Sequence, residues 1–223
     1  MTRIALIHAT ALAVQPIANA FERLWPQAQL QNILDDSLSV DRARDGQLTP
    51  AMRQRFIDLT HYARDCGCDS ILFTCSAFGP AIESSAQATS LPTFKPNQAM
   101  FDMALATPAR QGALQVALVA TFAPSIASMQ DELQAMAVSQ GLDLQVHTCH
   151  VPEAMDDLNH GHAELHHQKI AAAVSQLPPC DVVLLAQFSM AAAQPLAQQR
   201  TTVPVLSSPD CAVTALRQRI LNV

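Results

Sequence analysis

Cys75 ends a stretch whose residue types are suited to chemistry. Asp69-Ser70-Ile71-Leu72-Phe73-Thr74-Cys75-Ser76-Ala77-Phe78-Gly79-Pro80 passes abruptly from apolar residues to a thiol followed by small and polar ones. Ser70 to Phe73 is too short for a helix and reads as a buried strand. Gly79-Pro80 punctuates the chain before a helix that starts at Ala81-Ile82-Glu83. A cysteine at the carboxyl end of a strand, just before a helix, sits where open α/β sheets hold their ligands. Unpaired N–H groups at the helix start favour a thiolate there, and nearby carboxylates. The same residue also reads as a small buried apolar group closing a strand.

The elements that position this stretch come in two similar series. Ile4 to Ile7 is a first buried strand ending in His8-Ala9-Thr10, and Pro16 to Leu24 is a helix with Ile17, Ala20, Phe21 and Leu24 on one face. Leu30 to Leu34 is a second strand, stopped by Asp35-Asp36. Ser37 to Leu48 reads as a polar loop long enough to be a lid. Thr49-Pro50 starts a helix whose stripe is Met52, Phe56, Leu59 and Ala63 and which Gly67 ends. The pattern then begins again. Val116 to Thr121 is a strand, and Phe122-Ala123-Pro124-Ser125 leads into a helix through about Ser139. Leu142 to Val146 is a strand, Gly161 to Leu177 a helix, and Asp181 to Ala186 a strand followed by Gln187-Phe188-Ser189.

These are two copies of one unit in constant register. Ile4 maps onto Val116, Asp69 onto Asp181 and Leu91-Pro92 onto Val203-Pro204, each by 112 residues. One inserted residue then brings Pro96 onto Pro209 and Ala99 onto Ala212. The expected fold is α/β: two lobes from an internal duplication, each a parallel sheet flanked by helices, related by a pseudo-twofold axis. The lobes divide at 1–112 and 113–223, with the chain able to return to the first lobe at its end. The active site is expected in the cleft between them. The register pairs Cys75 with Gln187.

At this point the sequence resembles the aspartate/glutamate racemase superfamily, which includes hydantoin racemases, maleate isomerases and arylmalonate decarboxylases. Thr74-Cys75-Ser76, Gln187-Phe188-Ser189, Val203-Pro204-Val205-Leu206-Ser207-Ser208-Pro209 and the duplication carry the resemblance, over essentially the whole chain. It implies cofactor-independent chemistry at a carbon next to a carboxylate, with one cysteine from each lobe. The first carries over to Cys75. Gln187 stands where the second would be, and an amide does not titrate, although it can donate a hydrogen bond to an enediolate oxygen. The expectation is therefore a racemase or isomerase using Cys75. The alternatives are a one-cysteine decarboxylase and a binding protein for small carboxylates that has lost turnover.

Hydroxyls at the strand ends are candidates for holding the substrate carboxylate: Thr10, Thr121 and Ser125 after the first strands, and Ser76, Ser189 and Ser207 elsewhere. Each also reads as an ordinary cap or turn hydroxyl. His8 ends a strand beside the expected site and can replace the missing acid/base group, or it can be a histidine satisfied by the backbone. Ser208-Pro209-Asp210 can line the site or simply start a helix. His147, His150, His160, His162, His166 and His167 invite a metal, but no carboxylate or thiol completes a ligand spacing, so the stretch reads as a solvated helix face. Cys149, Cys180 and Cys211 read as packing residues.

Composition narrows the function classes. Of 223 residues 49% are apolar and 14% charged, which describes a compact soluble chain. The net charge of −6 and the lack of a basic run argue against a nucleic-acid partner, and no apolar stretch is long enough for a membrane span. Six cysteines in a chain this long, with Cys66-Gly67-Cys68 not matching C-x-x-C, read as reduced thiols of a cytoplasmic protein. The start of the chain imitates a signal peptide with Ala18-Asn19-Ala20 as cleavage site, but His8, Gln15 and Pro16 interrupt its core. No Gly-rich phosphate loop occurs. The expected partner is a small carboxylate substrate, with a homodimer as the default assembly.

Overall fold

The computed structural model describes residues 2–221. The chain forms two compact units, one running through Gln98 and resuming at Pro209, the other spanning Ala99–Ser208. The first holds strands β1 (Arg3–His8), β2 (Gln29–Leu34), β3 (Ser70–Phe73) and β4 (Thr93–Phe94), all parallel, in the order β2-β1-β3-β4. The second holds β5 (Leu114–Ala120), β6 (Leu144–His150), β7 (Val182–Leu185) and β8 (Val205–Ser207), parallel in the matching order β6-β5-β7-β8. β1 and β3 are buried almost throughout, as strands covered on both faces must be.

The repeat is written into equivalent hydrogen bonds. Asp69 accepts from the Arg3 N–H at 2.7 Å, and Asp181, 112 residues on, accepts from the Gln115 N–H at 2.9 Å. Ile71 N–H donates to Pro92 and Val183 N–H to Pro204, both at 2.9 Å. Thr74 N–H reaches Ile7 and Ala186 N–H reaches Val119, at 3.1 and 2.9 Å. The sparse identities between the copies are thus positions where a side chain or a proline carbonyl closes the sheet. Repeat and packing unit differ at their ends. Helix α5 (Gln98–Leu105) follows the first set of strands but belongs almost wholly to the second unit. Helix α10 (Ser208–Leu221), its counterpart in the repeat, belongs almost wholly to the first.

Among the remaining helices, α1 is Val14–Leu24 and α3 is Pro50–Asp65, opened by Thr49, whose hydroxyl accepts the Met52 N–H. α4 is Gly79–Gln87, so Gly79-Pro80 forms its first turn and does not precede it. α6 is Ala123–Ser139, α8 is Ala163–Val174 and α9 is Gln194–Gln198. Two helices depart from the sequence reading. Ser37–Asp45 is a helix (α2), not a loop, capped by Gly46 at φ 65°. It has one buried anchor, Leu38, and is held by ion pairs to α3 in place of an apolar stripe. Pro152–Asn159 is a further helix (α7), with His160 at its end, and it packs against α8.

His166 on α8 corrects the solvated-face reading, because it is fully buried beside Ile170 and Val174. Burial pushes its pKa down to about 4. Neither ring nitrogen has a hydrogen-bond partner among the described residues. Nor, among those residues, does any group of three His, Cys, Asp or Glu side chains have the placement to hold a metal ion. No described helix is long and apolar enough to cross a membrane.

Candidate active site

In the first unit the strand order turns back between β1 and β3. The carboxyl ends of these two strands therefore form the switch point at which open parallel sheets bind ligands. The chain leaves β1 through Ala9-Thr10 and β3 through Thr74-Cys75. Cys75 has extended backbone and starts a single 3-10 turn, Ser76–Phe78. That turn is pinned from below. Phe56 of α3 packs on Phe73 before the thiol and on Phe78 after it, with ring centroids 5.6 and 4.8 Å apart.

The thiol is partly exposed, yet the protein around it pushes its pKa up to about 11 by burial. The Ala77 backbone and the Ser39 side chain near it oppose that rise without cancelling it. At neutral pH Cys75 therefore holds its proton and is poised as an acid.

His8 ends β1, next to β3 in the sheet. It is fully buried, with Nε2 2.9 Å from Asn32 Oδ1 and Nδ1 2.8 Å from Thr74 Oγ1. Asn32 Oδ1 only accepts, so Nε2 carries the hydrogen and the Thr74 hydroxyl donates to Nδ1. Burial lowers the pKa of His8, with the Asn32 bond working against it. The ring is neutral and engaged at both nitrogens, so it braces Thr74, the residue before Cys75. Thr10 caps the short 3-10 turn Ala11–Ala13 by accepting the Leu12 N–H at 3.3 Å.

The second unit has its own switch point between β5 and β7, and there the structure joins three of the sequence-predicted residues. Gln187 Oε1 accepts from the Thr121 N–H at 2.9 Å and from the Thr121 hydroxyl at 3.2 Å. Its amide donates to Ser125 Oγ, and the Ser125 hydroxyl donates to the Phe122 carbonyl at 2.7 Å. The amide is thus held in one orientation, with its oxygen spent on Thr121 and one of its two hydrogens left over. Ser76 and Ser189 are buried in the turns after Cys75 and Gln187. Ser207 ends β8. Asp210 pairs with Arg23 at 2.6 and 3.0 Å in the first turn of α10, which makes Ser208-Pro209-Asp210 a helix start.

Two residues on α2 escaped the sequence reading. Ser39 is one of the polar groups that oppose the rise in the Cys75 pKa. Arg42, one helical turn further on, has Nε and Nη1 shielded from solvent with no hydrogen bond to any described residue. Helical side chains lean toward the N-terminus, which brings Arg42 back over the Ser39 turn. The neighbouring acids are already taken: Asp35 and Asp41 by Arg55, and Asp41 and Asp45 by Arg44. A shielded guanidinium without a counter-ion is costly, and an anionic ligand would satisfy it. The only sequence signal was the run of hydroxyls and charges from Asp35 to Asp45.

The profile of the family described as Asp/Glu/Hydantoin racemase matches residues 5–216. No curated protein matches the chain. A glutamate racemase from Bacillus anthracis is similar in structure at a TM-score of 0.77 and 15% identity, over 99% of this chain and 82% of that one. An allantoin racemase from Klebsiella pneumoniae gives 0.68 and 15%, over 100% and 89%. An aspartate racemase homologue from Pyrococcus horikoshii gives 0.67 and 14%, over 98% and 99%. At these identities the structural likeness speaks for the fold.

Proposed function

Because the chain belongs to the Asp/Glu/Hydantoin racemase family, we propose that it is a cofactor-independent racemase or isomerase in which Cys75 transfers a proton at a carbon next to a carboxylate. The observation that carries this reading is the thiol itself. It stands at the β1/β3 switch point and is kept protonated by burial, with the Ser39 hydroxyl and the Ala77 N–H as the groups that favour its anion. A protonated thiol delivers its proton to the carbon of an enediolate and becomes a thiolate that the same two donors stabilise. In the reverse direction that thiolate removes the proton. Arg42 anchors the substrate carboxylate, which favours a substrate with a free anionic group over a neutral cyclic imide. Gln187, braced by Thr121 and Ser125, supplies an amide hydrogen to an enediolate oxygen. The six free thiols support a reducing, cytoplasmic setting.

One observation favours a second reading. Gln187 cannot take or give a proton, and its amide oxygen is committed to Thr121. In a one-cysteine decarboxylase it would not need to. Cleavage of the bond to the departing carboxylate releases carbon dioxide and leaves its electron pair in an enediolate; the Cys75 thiol protonates the carbon, and solvent returns a proton to the thiolate. Incubating amino acids, hydantoins and malonates with the protein in deuterium oxide separates the readings. Deuterium at the α-carbon with loss of optical activity marks a racemase, and released carbon dioxide marks a decarboxylase. Saturable binding with neither would defeat both and leave a binding protein.

A further inference from the structure

Position 187 differs from its counterpart in the first unit together with two other positions. By the 112-residue register Gln187 answers to Cys75, Thr121 to Ala9 and Ser125 to Ala13. An amide with two hydroxyls in one copy thus stands against a thiol with two methyls in the other. The three residues of the amide set are bonded to one another. Gln187 Oε1 takes both Thr121 donors, the N–H at 2.9 Å and the hydroxyl at 3.2 Å, and Nε2 donates to Ser125 Oγ. Thr121 and Ser125 are buried, while Gln187 is partly exposed.

Without the Gln187 amide, a buried main-chain N–H and two buried hydroxyls would converge on one small space, and such groups require partners. A carboxylate has the same planar, forked shape as the amide. One of its oxygens can take the two Thr121 donors and the other the Ser125 hydroxyl. That hydroxyl now donates to the Phe122 carbonyl at 2.7 Å, but the same carbonyl also accepts the Ser125 N–H at 3.1 Å. The hydroxyl can therefore turn to a ligand without leaving Phe122 unpaired.

We propose that Gln187 is a specificity-determining residue: its amide fills from within a carboxylate seat formed by Thr121 and Ser125. The second unit then closes that seat to a substrate carboxylate and offers the spare Nε2 hydrogen to a single acceptor oxygen. The proposal rests on the proposed function in taking Gln187 to face the substrate, but its test reads binding and not turnover.

The test follows the Thr121 N–H in the backbone amide spectrum of the full-length protein, with acetate as the probe. Gln187→Ala removes an acetamide-sized group and vacates the seat. Acetate up to about 100 mM is expected to move the Thr121 signal saturably in Gln187→Ala and not in wild type. Acetate is expected to bind that variant more tightly than acetamide does, because its hydrogen bonds are charge-assisted. Adding Thr121→Val or Ser125→Ala to Gln187→Ala is expected to weaken acetate about tenfold, the worth of one hydrogen bond to a charged group.

An equal saturable shift in wild type, or tighter binding of acetamide than of acetate, would overturn the proposal. So would an unmoved Thr121 signal in a Gln187→Ala protein whose Val183 and Ala186 amides, bonded within the sheet, keep their wild-type positions. If Gln187→Ala does not fold, Gln187→Glu keeps the shape and puts a carboxylate in the seat. Its carboxyl is expected to titrate about one unit or more below the ordinary glutamate value, and an ordinary value would overturn the proposal. Turnover lost in Cys75→Ala together with an open wild-type seat would leave the catalytic reading standing and overturn this one. Turnover kept in Cys75→Ala together with a closed seat would do the reverse.

Discussion

The protonation state of Cys75 fixes its role, and it can be read without knowing the substrate. With the pKa pushed up to about 11 from 9.0, the thiolate is about one part in ten thousand at pH 7, against about one in a hundred in the unfolded chain. Intrinsic nucleophilicity recovers about tenfold of that hundredfold difference, because reactivity rises with basicity at a Brønsted slope near one half. Iodoacetamide should therefore label Cys75 about tenfold more slowly in the native protein than in urea. The slope is more telling than the rate. Native labelling should rise about tenfold per pH unit from about pH 6.5 to 9.5 without levelling, while the unfolded chain levels near pH 9. A plateau at or below pH 8 would show a resting thiolate and would refute the acid role assigned to Cys75.

Other consequences follow from side chains the structure places. His166 has its folded pKa depressed to about 4 from 6.5, so the unfolded chain takes up a proton first as pH falls. Its contribution is fully present above pH 6.5 and is lost between about 6.5 and 4, by about 3 kcal/mol in all. Urea unfolding of wild type and His166→Leu should diverge across that window, and parallel curves would contradict it. Arg42→Gln should weaken carboxylate binding at least about tenfold, while Arg44→Gln, an exposed residue of the same helix, should not; calorimetric titration with succinate compares them. Gln187→Cys would place a thiol where the Thr121 N–H and hydroxyl can stabilise its anion. It should raise racemisation measured by polarimetry, and an unchanged rate would remove position 187 from the reacting carbon.

The strands and their duplication were legible because buried parallel strands are continuous apolar runs. The 112-residue register also falls on residues with structural jobs, such as Asp69 and Asp181, which each accept an N–H at the start of the neighbouring strand. Thr49-Pro50 was legible because capping is local chemistry. α2 was not, because its order comes from Arg55, ten residues beyond its end, and not from any apolar period of its own. For that reason Ser39 and Arg42 were invisible as site residues. Residue identity named Cys75 and Gln187 but not their states, which depend on burial around the thiol and on the Thr121–Ser125 brace around the amide. His8 looked like a spare acid because it ends a strand; its partners Asn32 and Thr74 come from two other strand segments that only folding brings to it.

The most direct test of the account is Cys75→Ala on whichever substrate shows α-carbon exchange or carbon dioxide release with the wild-type protein. Loss of the proton-transferring group should lower turnover by about a thousandfold or more while leaving substrate binding within a few-fold of wild type. Solvent deuterium entering the product from Cys75→Ala at the wild-type rate would contradict the account.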